Sequence, residues 1–213
     1  MKQELLKRII SSLTLIPIAL FFIIKGSFFF NFFILVCFII TVYEWHMMSK
    51  KKPFHIIGIF FLIFSFYTVY YLRAENDLKF FLLVVITCIA TDIGGYIFGN
   101  IFKGPKLTKI SPKKTYAGMF GGFFLAIIFT NLFFNNLNFI NLGNNAQISK
   151  EIFIIVLLLS FVSQIGDLTI SFFKRKSKIK NTGKLIPGHG GLLDRIDGMI
   201  FAFPFMFIII KIL

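Results

Sequence analysis

Seven apolar runs dominate this chain, at about 9–24, 26–43, 54–72, 80–99, 117–134, 152–173 and 196–213. A bilayer core about 30 Å thick asks for about 20 helical residues. Each run reaches or approaches that length. In hydrocarbon every backbone amide and carbonyl must find a partner within the protein, which a helix supplies by itself. Seven such runs in 213 residues leave little chain for a water-soluble domain. The chain is 57% hydrophobic and 15% charged, with a mean hydropathy of +0.84. Soluble domains run at about 45–50% apolar and about 25% charged. A soluble chain this short could not bury so much apolar side chain. The sequence therefore predicts an all-α, polytopic membrane helix bundle of about seven transmembrane helices. It excludes a cytosolic globular domain, a disordered tail and a disulfide scaffold. Cys37 and Cys88 sit inside apolar runs, are not spaced as CxxC, and read as small hydrophobes.

The first run is short, contains Pro17, and is parted from the second only by Lys25-Gly26, so a tight helical hairpin is expected. Lys7-Arg8 ahead of it resembles a signal peptide, but no small-x-small cleavage site follows, and it reads as a retained span. With the N-terminus in the cytoplasm, all but Lys25, Arg73, Lys79, Lys150 and Lys211 of the 23 Lys and Arg fall on the inner side. That is the bias expected of cytoplasmic loops. Two long basic loops, 100–116 and 174–195, face the cytoplasm on this count, and an Asn-rich outer connector spans 135–150. Residues 1–80 form N-terminal spans, and 81–213 a catalytic membrane domain. A net charge of +14 would suggest nucleic acid in a soluble protein. Here it belongs to loops beside lipid, so no nucleic-acid partner is expected.

Acids are scarce. Glu4, Glu44, Glu75, Asp77 and Glu151 fall at span ends or in loops. Asp92 and Asp167 fall inside apolar spans, where a charge costs at least about 2.5–3.5 kcal/mol. Each is either functional or a structural hydrogen-bond or ion-pair partner. Asp194-Arg-Ile-Asp197 places two carboxylates at i and i+3, on one face at the start of the last span. Helix capping accounts for such a pair equally well. Mg²⁺ serving phosphates is held by one or two carboxylates plus the phosphates themselves, so Asp92, Asp167, Asp194 and Asp197 form a candidate metal set. Pro187-Gly-His-Gly-Gly191 precedes the pair, and its glycines let backbone amides approach a phosphate or ribose. His189 is placed to bond a phosphate or move a proton, or else is a solvated loop residue. Ser111-Pro-Lys-Lys-Thr115 is a compact anion binder or a lipid-facing anchor, and Lys174-Arg-Lys176 has the same two readings. Walker A, GxSxG, HExxH and GxGxxG patterns are absent. Gly95/Gly99 and Gly118/Gly122 are GxxxG pairs that mark close helix packing. Acids for a divalent cation and lysines for phosphates point to phosphoryl or nucleotidyl transfer on a lipid. A transporter of a phosphorylated solute would use similar parts.

Residues 90–200 resemble the phosphatidate cytidylyltransferase (CDP-diglyceride synthase) family. The matching positions are Ser171, Lys174-Arg175, Lys180, Pro187-Gly188-His189-Gly190-Gly191, Asp194-Arg195 and Asp197, with Gln164-Ile-Gly-Asp167 upstream. Asp92, Tyr96, Gly99 and Ser111-Pro-Lys-Lys-Thr115 match the preceding block. Asn181 stands where the family carries Asp, and Ala117 where Glu is usual. The resemblance implies a Mg²⁺-dependent nucleotidyltransferase that makes CDP-diacylglycerol and pyrophosphate from CTP and phosphatidic acid, in phospholipid biosynthesis. A second cation is left open. On this reading Asp194 and Asp197 hold Mg²⁺, with Asp167 and Asp92 completing the cation site. Lys113, Lys114, Lys174 and Arg175 bind phosphates, and Ser111, Thr115 and Lys180 belong to the substrate-binding set. His189 with Gly188, Gly190 and Gly191 shapes the nucleotide pocket, and Arg195 pairs with an Asp or meets pyrophosphate. The resemblance also implies a homodimer, in the inner membrane of a bacterial cell, with its active site facing the cytoplasm. A CTP-dependent polyprenol or dolichol-type lipid kinase is the main alternative, separated by its product.

Overall fold

The computed structural model describes residues 2–75, 78–108, 110–136, 150–183, 185 and 190–212. Eight helices appear among them: α1 (Lys2–Lys25), α2 (Ser27–Ser49), α3 (His55–Ala74), α4 (Leu78–Phe102), α5 (Tyr116–Asn136), α6 (Lys150–Lys176), α7 (Leu193–Ile196) and α8 (Met199–Ile212). No strand occurs among the described residues. A helix occupies most of each expected apolar run, and the last run is broken at Asp197-Gly198. α2, α3, α4, α6 and residues 116–133 of α5 are long and apolar enough to cross a membrane. The apolar part of α1, Leu13–Lys25, and α8 are shorter. At 1.5 Å per residue, α8 is about 21 Å long, less than a bilayer core. The segment expected as the outer connector lies, at 137–149, outside the described residues.

The expected α1–α2 hairpin is present. Gly26 turns the chain at a φ of 65°. Arg73 from α3 lies against it, so a Cβ there would come 2.5 Å from Arg73 Nη2. Arg73 Nε donates to the Ile23 carbonyl at 2.9 Å, satisfying one of the orphan acceptors at the end of α1.

α4 and α5 are sealed by glycines. A Cβ on Gly94 would stand 2.3 Å from the Gly121 carbonyl oxygen, and one on Gly118 2.7 Å from that of Gly95. The GxxxG pairs therefore mark close packing, as expected, and they are used within one chain. They carry no argument for a second copy.

Two apolar clusters fill the bundle. One gathers Leu72, Val84, Ala126, Leu159 and Met206, all fully or almost fully buried. The other gathers Trp45, Phe54, Leu62, Ile170, Leu193 and Ile200. Trp45 meets Phe54 and Phe173 edge-on and donates to the His55 carbonyl at 3.0 Å. Buried hydroxyls are satisfied along or across helices. Ser65 Oγ donates to the Ile200 carbonyl at 2.8 Å, and Thr91 Oγ1 to Ser160 Oγ at 2.7 Å. Interhelical bonds of this kind contribute about 0.6 kcal/mol each in a membrane. The outward faces carry Phe28, Ile57, Phe60 and Phe120, all well exposed, as a lipid-facing bundle requires.

Candidate active site

Asp167, Ser171 and Lys174 recur at steps of four and three along α6, so they share one face. Lys174 ends that face and is buried. Its Nζ lies 2.9 Å from Asp194 Oδ1 and 3.9 Å from Asp197 Oδ2. One ammonium thus ties the end of α6 to both carboxylates of the Asp194-Arg-Ile-Asp197 motif. The last span does not begin there, contrary to expectation. Asp194 lies in the single turn α7, Asp197 follows it, and α8 starts at Met199. Gly198 occupies the break, and a Cβ there would stand 2.3 Å from Ser163 Oγ.

Asp194 is engaged on both oxygens. Oδ1 meets Lys174, while Oδ2 accepts the backbone N–H of Thr182 at 2.9 Å and of Gly191 at 3.1 Å. Gly190 sits against it at a φ of 91°, and a Cβ there would meet Asp194 Oδ2 at 2.9 Å and Asn181 at 3.5 Å. Asp197 is differently placed. Its Oδ1 accepts the Gly198 N–H at 3.0 Å, and its carboxyl lies within electrostatic reach of Asp167.

Asp167 pairs with Lys114 and accepts from Ser171 Oγ at 3.3 Å. Lys114 belongs to the 103–115 loop, which is folded back on itself. Lys106 and Thr115 form an antiparallel bridge, and the Leu107 N–H donates to the Lys114 carbonyl at 2.8 Å. Thr115 Oγ1 accepts the Gly118 N–H at 3.1 Å, which makes Thr115 the N-cap of α5. Asp92, exposed on α4, lies within electrostatic reach of Asp167, Lys114 and Arg195. Asp92, Asp167 and Asp197 therefore gather with Lys114, Lys174 and Arg195 at one end of the bundle.

Lys113, Arg175, Lys180 and Arg195 are exposed, and Ser111 is half-buried. Arg175 Nη1 donates to the Ile179 carbonyl at 3.3 Å. Gly191 is buried beside Asp194. Gly188 and His189 lie outside the described residues. Among the described residues no three His, Cys, Asp or Glu side chains converge on a closed metal cage. Asp167 and Asp197 nonetheless offer adjacent hard oxygen donors, which suits a cation that takes its other ligands from phosphates and water.

Two residues at the site were not singled out in the sequence. Glu44, at 4% exposure, reaches in from α2, and Thr182 joins it to Asp194. The usable signal was the helical run itself. α2 continues to Ser49, so Glu44 is a buried acid within a span and not a residue at its end.

The model of the cytidylyltransferase family matches residues 54–213. The chain belongs to that family. A phosphatidate cytidylyltransferase of Rickettsia felis is 34% identical over 217 residues, covering 98% of this chain and 93% of the relative. One from Rickettsia conorii is 33% identical over 213 residues, covering 97% and 91%. One from Brucella suis is 33% identical over 181 residues, covering 84% of this chain and 63% of its own length. These relatives give no support to the lipid-kinase or transporter alternatives. Within this cytidylyltransferase, Asp92, Lys114, Asp167, Lys174, Asp194 and Asp197 fall inside the matched region, and Glu44 falls before it.

Proposed function

We propose that this protein transfers the cytidylyl group of CTP to phosphatidic acid, yielding CDP-diacylglycerol and pyrophosphate. The observation that carries this reading is the Lys174–Asp194–Asp197 ion-pair system, beside Asp167 and Lys114, at one end of an apolar bundle. An oxygen of the lipid phosphate forms a bond to the α-phosphorus of CTP as the bond from that phosphorus to pyrophosphate breaks. Such a reaction needs in-line positioning and charge compensation more than a protein nucleophile.

Asp167 and Asp197, with Asp92 nearby, are the residues that would hold Mg²⁺. Bound there, Mg²⁺ neutralises charge on the triphosphate. Asp194 keeps Lys174 and the 182–191 segment in place. Lys114, with the exposed Lys113, Arg175, Lys180 and Arg195, receives phosphate oxygens of the two substrates. His189 and Gly188 would complete the nucleotide pocket. On the positive-inside bias this end of the bundle faces the cytoplasm, where CTP is found, and the N-terminus lies on the same side. The inner membrane and a homodimer rest on the family resemblance alone.

The test is a transfer assay with CTP labelled at the α-phosphate, phosphatidic acid and purified protein in detergent–lipid micelles. The expected result is label in a chloroform-soluble product, lost when EDTA is added. Label confined to water with CTP intact overturns the reading. Transfer of γ-label to a polyprenol would replace it with the kinase.

A further inference from the structure

Glu44 is a buried carboxylate whose described partners are backbone amides and a hydroxyl, with no cation among them. Its Oε1 accepts the N–H of Leu192 at 2.9 Å. Its Oε2 accepts the N–H of Leu193 and the hydroxyl of Thr182, both at 2.9 Å. These donors lie 138 to 149 positions away in sequence. The surroundings are fitted to it. A Cβ on Gly183 would stand 2.6 Å from Oε1, and one on Gly191 2.4 Å from Oε2.

Two carboxylates therefore hold both ends of the same segment. Thr182 donates its hydroxyl to Glu44 and its N–H to Asp194. At the far end, Gly191 donates to Asp194 while Leu192 and Leu193 donate to Glu44. In sequence, Pro187, Gly188, His189 and Gly190 fall between the two ends. Asp194, held by this clamp, in turn holds Lys174.

We propose that Glu44 is a positioning residue for cytidylyl transfer: from α2 it clamps both ends of the 182–193 segment and so fixes Asp194 and Lys174. This rests on the function proposed above. Glu44 touches no reacting group. Its carboxylate is required as an acceptor of three hydrogen bonds. A Gln keeps the shape but turns N–H groups toward N–H and O–H donors, leaving buried donors unpaired.

The test compares wild type with Glu44→Gln, Thr182→Val and Thr182→Ser, each purified in the same micelles. Three readouts are taken: kcat and KM for both substrates, the melting temperature, and the rate of tryptic cutting between α6 and α7. Glu44→Gln and Thr182→Val are expected to lower kcat by about tenfold or more, the equivalent of a lost bond to a charged acceptor. KM for phosphatidic acid stays unchanged, and tryptic cutting accelerates. Thr182→Ser, which keeps the hydroxyl, stays near wild type. In the double variant Glu44→Gln/Thr182→Val the losses overlap and do not add. Wild-type kcat and wild-type cutting in Glu44→Gln overturn the proposal. So does a loss of activity that merely follows the fraction of folded protein. If the wild type itself fails to transfer label, the proposed function falls, and the tryptic rates still decide whether the clamp exists.

Discussion

Lys174 and Asp194 form a buried ion pair across the connection between α6 and α7, with side chains only 10% and 8% exposed. Such a pair gains little over an apolar substitute, but removing one partner strands the other charge. Lys174→Met is therefore expected to cost about 3–5 kcal/mol of stability and to abolish measurable transfer. Thermal unfolding in micelles, read beside the assay, checks both. A Lys174→Met protein with wild-type melting and activity contradicts the pairing.

Asp197 and Asp167 are expected to act on the cation, and Asp194 on the loop. Asp197→Asn and Asp167→Asn should each lower turnover below about a tenth of wild type and raise the Mg²⁺ concentration needed for half-maximal rate. Asp194→Asn should instead lower the melting temperature and leave the Mg²⁺ dependence in place. A Mg²⁺ titration of all three variants separates the roles. More than a tenth of wild-type turnover in Asp197→Asn rules out the metal assignment.

The Lys114–Asp167 pair joins the 103–115 loop to α6. Lys114→Ala should raise KM for CTP more than it lowers kcat, because it removes a cation beside the phosphates while the acids stay in place. Lys113, which is exposed, should show the smaller effect when replaced by Ala. Equal effects from the two variants would contradict the geometry.

The α4–α5 seam makes a contrast between adjacent glycines. Gly94→Ala forces a methyl to within 2.3 Å of a backbone oxygen, whereas at Gly95 the nearest such atom is 3.8 Å away. The first should destabilise by about 1–3 kcal/mol, as overpacking does, and the second should be nearly neutral. Melting temperatures of the two proteins settle it.

Most of the bundle was legible because a bilayer-length apolar run has one solution in lipid. The ends of the elements were less so. The second run was expected to stop at residue 43, where polarity rises, yet α2 runs on to Ser49. Tertiary donors from the 182–193 segment satisfy Glu44, and no local pattern announces donors that come from so far along the chain. The Asp194–Asp197 spacing correctly placed two carboxylates together. It could not say that Asp194 would spend its oxygens on Lys174 and two amides while Asp197 turned toward Asp167. Thr115, read in the sequence as part of an anion binder, also caps α5, and no local pattern separates a capping hydroxyl from a free one.

The bonds of Glu44 also set an order of assembly. α2 is synthesised long before Thr182, Leu192 and Leu193, so during insertion its carboxylate waits without the donors that satisfy it in the finished protein. Closing so long a loop is entropically costly and slow compared with forming the helical hairpins. The contact of α2 with the 182–193 segment is then a late step of assembly. Enzymatic competence arrives with that contact, and a nascent bundle with every earlier span already in the membrane is still inactive.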